Sequence, residues 1–250
     1  MRTALLIGIG AGDPTQVTVQ AIEAMSAADA FFVLDKGATT GTLKGIRQEI
    51  LDAYAPGARL VLVPDPPRDR DAADYVAAVD DWHDRRAAAL AEAVTREVPD
   101  GGVAGFLVWG DPSLYDSTLR IVQRSPIPLQ PRMIPGITSV QALTAAHAVL
   151  LNRVGEPIHI TTGRRLAEDD GRNTVVMLDA DCTFLRTARP DDEIYWGAYL
   201  GTEHEILLSG TVGAVGEEIA RTRAAARAEH GWIMDVYLLR RPEDGEAQGG

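Results

Sequence analysis

Two apolar runs in this 250-residue chain end in the same way: residues 4–9 lead into Gly10-Ala11-Gly12-Asp13-Pro14, and residues 106–109 lead into Gly110-Asp111-Pro112. Glycine at the end of a buried strand lets the backbone turn sharply and lets a ligand approach the main chain. The aspartates restrict which ligand that can be. A glycine-rich turn that cradles a pyrophosphate offers bare N–H groups at a positive helix end, where a carboxylate would repel the phosphates. The expected guest is polar and unphosphorylated, carrying hydroxyl, amide or ammonium groups. Taken alone, Gly8-Ile9-Gly10-Ala11-Gly12 also suits a tight strand-to-helix turn with no ligand.

Strand-like and helix-like patterns alternate around both turns. Residues 4–9 read as a buried strand, Ala21, Ile22, Met25 and Ala28 fall at helical spacing, and residues 30–34 read as a second strand. Such a βαβ unit predicts a parallel sheet with right-handed crossovers. Pro64, Pro66 and Pro67 make 64–71 a loop, since proline removes donors and fixes φ. A long helix over 74–96 follows, with Tyr75, Val79, Trp82, Leu90 and Val94 as inner positions and Arg85-Arg86 on its wet face. Pro126, Pro128, Pro131 and Pro135 read as an extended linker. The expectation is an N-terminal α/β domain over 1–128 and a C-terminal α/β domain over 135–250. The second half carries a helix over 138–149, strand-like runs at 158–161, 174–178, 193–200, 206–209 and 232–239, and a long helix over 215–229. That pattern predicts a mixed sheet.

Composition excludes several classes. With 46% apolar and 24% charged residues the chain can bury substantial cores. A net charge of −12 disfavours wrapping nucleic acid, which needs a basic face. The single Cys182 excludes an internal disulfide, and His83, His147, His159, His204 and His230 show no ligand spacing, so no metal is expected. The Met1-Arg2 start leads into a strand pattern with no signal-peptide cleavage site or apolar span, which predicts a cytoplasmic protein without a membrane partner.

The motifs follow one another in a set order: Gly8-x-Gly10-x-Gly12-Asp13-Pro14-x-x-Val17-Thr18, Gly110-Asp111-Pro112-x-x-Tyr115, Ile134-Pro135-Gly136-Ile137-Thr138-Ser139, Thr161-Thr162-Gly163-Arg164 and Leu208-Ser209-Gly210-Thr211. The series resembles the tetrapyrrole methylase family, the two-domain S-adenosylmethionine enzymes of sirohaem and cobalamin synthesis, over nearly the whole chain. That resemblance implies a two-domain α/β fold, its N-terminal sheet mostly parallel and its C-terminal sheet mixed, with the active site in the cleft between them. It implies a methyl donor held mostly by main-chain groups of loops, and by position a donor site of Ala11, Gly110, Asp111, Leu114, Thr138, Ser139, Leu178 and Gly210. For Asp111 the alternative is capping the turn that begins near Ser113, and Asp13-Pro14 is also an ordinary helix-start signal. Residues 31–37, 105–118 and 195–202 resemble the branch that methylates C1 of precorrin-5 and releases an acetyl unit as acetate. Another precorrin, diphthamide or ribosomal RNA methyltransferase is the alternative within the family. A nicotinamide-dependent oxidoreductase is a further alternative, suggested by the first turn and disfavoured by Asp13. Trp109, where many relatives have glycine, is expected to narrow the donor loop. The family is usually homodimeric, and the apolar run Trp196-Gly197-Ala198-Tyr199-Leu200 exceeds what one small sheet obviously needs.

The chemistry so implied divides unequally. A sulfonium is already a strong electrophile, so methyl transfer needs alignment more than proton transfer. Hydrolysis of an acetyl group needs a base and a stabilised oxyanion. Asp35 and Lys36, at the mouth of the second strand, are the candidate base and stabiliser, with a solvated strand-end ion pair as the plain alternative. Tyr115 is a further catalytic candidate, with Asp116 and Asp179 behind it. The substrate's carboxylates need local cations on an acidic chain. Arg47, Arg68, Arg70, Arg164 and Arg165 are the candidates, each equally readable as a surface residue.

Overall fold

The computed structural model describes residues 1–35, 41–67 and 75–242, and of residues 41–44, 75 and 76 the backbone alone. The chain divides into two compact units, Met1–Thr138 and Ser139–Gly250. The first holds five parallel strands, β1 (Arg2–Gly8), β2 (Ala30–Asp35), β3 (Leu60–Pro64), β4 (Val103–Val108) and β5 (Leu129–Ile134), in the order β3-β2-β4-β1-β5. Alternation along β1 divides its side chains between two layers. Leu5 and Ile7 pack with Ala21 and Met25 of α1 (Val19–Ser26) and Ile50 and Leu51 of α2 (Gly41–Tyr54). Ala4 and Leu6 pack with Leu90 and Val94 of α3 (Tyr75–Glu97) and Ile121 and Val122 of α4 (Thr118–Gln123). Helices cover both faces, which is why these strands read as continuous apolar runs. The crossover from β1 passes β4 to reach β2, and that from β4 passes β1 to reach β5. The two crossovers therefore leave the sheet in opposite directions, and open parallel sheets take their ligands at such a switch point, beyond the carboxyl ends of the strands.

The proline-rich stretch is not a linker. Residues 129–134 form β5, paired in parallel with β1 from Arg2↔Leu129 to Ile7↔Ile134. β5 is an edge strand, where a proline such as Pro131 forfeits no ladder on its open side. The break between compact units accordingly follows Thr138 and not residues 128–135.

Arg86 is not on a wet face either. Its guanidinium makes two hydrogen bonds to the Asp65 carboxylate, both 2.6 Å, and lies 3.7 Å from the centre of the Trp82 ring. Both charged side chains are 6% exposed. The Trp82 indole N–H donates to the Pro66 carbonyl at 2.8 Å, which ties the start of the proline loop to α3. Leu90 and Val94 are buried and Val79 and Trp82 half-buried, while the Tyr75 side chain lies outside the described residues.

The second unit holds β6 (His159–Thr162), β7 (Asn173–Met177), β8 (Glu193–Ala198), β9 (Ile206–Thr211) and β10 (Asp235–Arg240) in the order β6-β7-β10-β8-β9. β6 and β7 run parallel and the other neighbours antiparallel, so the sheet is mixed. α5 (Ser139–His147), α6 (Phe184–Thr187) and α7 (Val212–His230) complete it. Its core gathers Phe184, Ile194, Trp196, Ile219 and Tyr237. Trp196, Ala198, Tyr199 and Leu200 are all buried here, so this unit itself uses the run that looked like surplus for a dimer. Asp235 pairs with Arg223 at 2.8 Å and accepts from the Trp196 indole at 3.1 Å. Burial pushes the Asp235 carboxyl upward, and Arg223 and Trp196 only partly oppose it. Among the described residues no helix is long and apolar enough to cross a membrane.

Two stability predictions follow from α3. Arg86→Met leaves Asp65 as an unpaired buried charge and should cost about 3–5 kcal/mol in urea unfolding, with Asp65→Leu in the same chain recovering most of it. His83 is 5% exposed, and its Nδ1 has no hydrogen-bond partner among the described residues. Burial pushes its pKa down, followed by Arg120, Arg124 and Arg86, with Asp80 opposing. The unfolded chain takes this proton near pH ~6.5 and the folded chain only at lower pH. The stabilisation is complete above pH ~6.5 and declines as the pH falls below it. Urea midpoints between pH 7.5 and 5 should fall in the parent and flatten in His83→Leu.

Candidate functional site

β1, β4 and β5 end side by side, and their glycines touch. Gly10 and Gly110 form an isolated antiparallel bridge, Gly110 N–H donating to Gly10 at 2.8 Å and Gly10 N–H returning to Gly110 at 3.3 Å. Both sit at positive φ, 82° and 66°, where a side chain is disfavoured. A Cβ on Gly8 would stand 2.6 Å from the Gly136 nitrogen, and one on Gly136 would run into the Gly110 carbonyl oxygen. Glycine is thus required at 8 and 136 for the main chains to meet, and favoured at 110 by its positive φ.

Asp111 ties this junction. Its Oδ2 accepts from Gly136 N–H at 2.8 Å, and its Oδ1 accepts from Ser113 N–H at 2.8 Å and from the Ser113 hydroxyl. Burial pushes the carboxyl up, but hydrogen bonds from the Ser113 hydroxyl, Gly136 N–H and Ser113 N–H outweigh it and hold the group below the ordinary carboxylate value. Asp13 accepts from the Thr15 N–H and hydroxyl, both at 2.7 Å, capping the short 3-10 turn Pro14–Gln16. Sequence reasoning missed Gln16, whose Oε1 accepts from Ala11 N–H at 3.0 Å and whose Cβ fills the space beside Gly10. A lone glutamine in a turn carries no sequence signal.

The structure brings Ala11, Gly110, Asp111, Leu114 and Thr138 to this edge of the first sheet. Leu114 N–H closes the turn onto the Asp111 carbonyl at 3.2 Å. Tyr115 follows with φ 52° and 47% exposure. Trp109 is half-buried and packs against the core that includes α1 and α2. Asp35 ends β2 at the same edge, its carbonyl accepting from Asp65 N–H at 3.0 Å. The Arg47 Nε–H donates to the Leu107 carbonyl near the end of β4 at 3.1 Å, and burial lowers the pKa of this guanidinium against the opposing charge of Asp116. Lys36, Arg68 and Arg70 lie outside the described residues.

In the second unit the predicted residues are scattered. Ser139 opens α5, and Leu178 follows β7 with φ 55° and 60% exposure. The register runs Gly210↔Ile194, Ile194↔Leu239 and Leu239↔Thr174, so Gly210 is level with the start of β7 and Leu178 lies past its end. A Cβ on Gly210 would stand 2.8 Å from Val215, so helix packing accounts for that glycine. Arg164 and Arg165 are exposed, and Arg165 pairs with Glu168 at 2.8 Å. Asp179 is no free base. It is 4% exposed and accepts from the Tyr237 hydroxyl and Thr183 N–H, both at 2.6 Å, from the Thr183 hydroxyl at 2.8 Å and from Asp181 N–H at 3.2 Å. Cys182 is buried, which pushes its thiol up to about 11 and leaves it inert at neutral pH.

A parallel sheet with glycine junctions at its switch point, followed by a mixed sheet, is the architecture of a known class of methyltransferase. The chain belongs to the tetrapyrrole (corrin/porphyrin) methylases, whose family model matches residues 4–216. It is 47% identical over 253 residues, covering 98% of this chain and 97% of the relative, to the precorrin-6A synthase [deacetylating] of Sinorhizobium sp. It also resembles the solved structure of a cobalamin synthesis related protein (CobF) from Corynebacterium diphtheriae, with a TM-score of 0.85 and 44% identity over 96% of this chain and 98% of that one. The fold alone is shared with the uroporphyrin-III C-methyltransferase of Thermus thermophilus solved with S-adenosylhomocysteine, at a TM-score of 0.60 and 16% identity over 96% and 97% of the two chains.

The junction makes a contrast in glycine tolerance. Gly136→Ala must push main chains apart and should destabilise by about 1–3 kcal/mol or more. Gly45→Ala, in the interior of α2 with nothing within 4 Å of the added carbon among the described residues, should stabilise by about 0.5–1 kcal/mol. Urea unfolding of the two variants checks the pair.

Proposed function

We propose that the chain is a deacetylating precorrin-6A synthase, an S-adenosylmethionine-dependent C-methyltransferase of cobalamin biosynthesis that methylates C1 of precorrin-5 and releases acetate. Near-complete alignment with a relative of that activity carries the reading. The chemistry of the switch-point loops supports the cofactor: residues 8–18, 105–119 and 134–144 hold Asp13, Asp111 and Asp116 and no lysine or arginine. Such loops suit a cationic, unphosphorylated ligand and repel a pyrophosphate. S-adenosylmethionine supplies a methyl group on a sulfonium. Ala11, Gly110, Asp111, Leu114 and Thr138 would hold it through main-chain groups, with Ser139 and Leu178 as further candidates. Gly210 is left outside that set.

For deacetylation, Asp35 is the proposed base. It would take a proton from water as the oxygen adds to the acetyl carbonyl, after which the bond to the macrocycle breaks, leaving its electron pair there as acetate departs. Lys36 is the proposed oxyanion partner and Tyr115 a second catalytic candidate. Arg47 is the proposed contact for a substrate carboxylate, because it stands at the same edge as Asp35. Arg68, Arg164 and Arg165 are weaker candidates for that contact. The proposed cytoplasmic, homodimeric state rests on the family.

Incubation with precorrin-5 and S-adenosylmethionine should give a product that has gained a methyl and lost an acetyl unit by mass. Gain of the methyl alone, or no turnover, would favour another member of the family. Asp35→Asn should slow acetate release by roughly 10²-fold, the scale of a lost acid–base group, with S-adenosylhomocysteine affinity unchanged by calorimetry.

A further inference from the structure

Within the motif Thr161-Thr162-Gly163-Arg164 the scheme above uses only Arg164, and the glycine points to a further role. Gly163 closes β6 directly against the Asp179 carboxylate, with which any Cβ would collide. That carboxylate collects four hydrogen bonds, from Asp181, twice from Thr183 and from Tyr237 on β10. It thereby fastens the segment just past β7 to β10 on one side and to the segment leading into α6 on another, while Gly163 lets it pack close beside the end of β6. The adjoining residue is Leu178, a leucine held at φ 55° with 60% of its surface exposed. A non-glycine residue in the left-handed region costs about 1–3 kcal/mol and persists only where its surroundings over-determine it. The Asp179 network is that surrounding structure. Burial, then the Asp179 hydrogen bond and charge, push the Tyr237 pKa far upward, so the hydroxyl remains a donor.

We propose that Asp179, held by Tyr237 and Thr183 and pressed by Gly163, is a positioning residue that presents Leu178 to the methyl donor. The inference rests on the reading of the chain as an S-adenosylmethionine enzyme whose donor contacts Leu178. Asp179 touches no ligand itself. It acts by fixing the backbone of its neighbour.

The test uses S-adenosylhomocysteine calorimetry on the parent, Leu178→Ala, Asp179→Asn and Tyr237→Phe, with urea midpoints measured alongside. Tyr237→Phe keeps the ring against Phe184, so it serves if Asp179→Asn does not fold. The expected result is a loss of affinity of about tenfold in Leu178→Ala and in Tyr237→Phe, corresponding to about 1.4 kcal/mol. Tyr237→Phe should raise KM for the donor with kcat at saturation kept within about twofold. A lowered urea midpoint with unchanged affinity and KM in Tyr237→Phe and Asp179→Asn, while Leu178→Ala binds weakly, overturns the positioning role and leaves the donor reading standing. An unchanged Leu178→Ala affinity, or a parent that does not bind S-adenosylhomocysteine, removes the donor reading at Leu178 and this inference with it.

Discussion

Direct contact among the main chains of Gly8, Gly110 and Gly136 is the constraint on which the first unit's candidate site depends. Three strand ends meet without side chains between them. Backbone groups removed from water must find partners, and here Gly10 and Gly110 satisfy each other while Asp111 satisfies Gly136. The β1 and β4 turns are thereby locked at the place where their crossovers diverge. Main-chain groups pre-set in this way can meet a ligand with little ordering cost, and that is the property a donor site needs.

Carboxylates do most of the tying. Asp13, Asp111 and Asp179 each accept from backbone N–H groups within a few residues, and Asp111 and Asp179 also reach a distant segment. Asp13 and Asp111 each directly follow a glycine. For Asp111 the structural role is compatible with the proposed donor contact. A carboxylate spent on holding a turn can still favour a cationic ligand over a phosphate there.

Period and chemistry made most of the fold legible. Continuous apolar runs revealed strands buried on two faces, and turn residues separated the strands of the second sheet. β5 was hidden because Pro131 speaks against a strand locally, while its edge position is a property of the whole sheet. Arg86 was hidden because an arginine beside another arginine on a helix reads as solvated, and its partner Asp65 comes from a loop 21 residues away. Glycines mark the limit of such reading. Gly136 is required by backbone contact at the functional edge and Gly210 by packing on Val215, yet the two look alike in the sequence. Resemblance to a family supplied the activity, which no pattern of periodicity carries.

Hydrogen–deuterium exchange with and without S-adenosylhomocysteine tests the central claim most directly, because it reports on the main-chain groups to which the account assigns the donor. Added ligand should slow exchange in peptides covering residues 8–12, 109–114 and 134–138 and leave the far end of the first sheet, around residues 99–102, unchanged. Binding of the ligand with no protection in any of the three glycine segments would contradict the account.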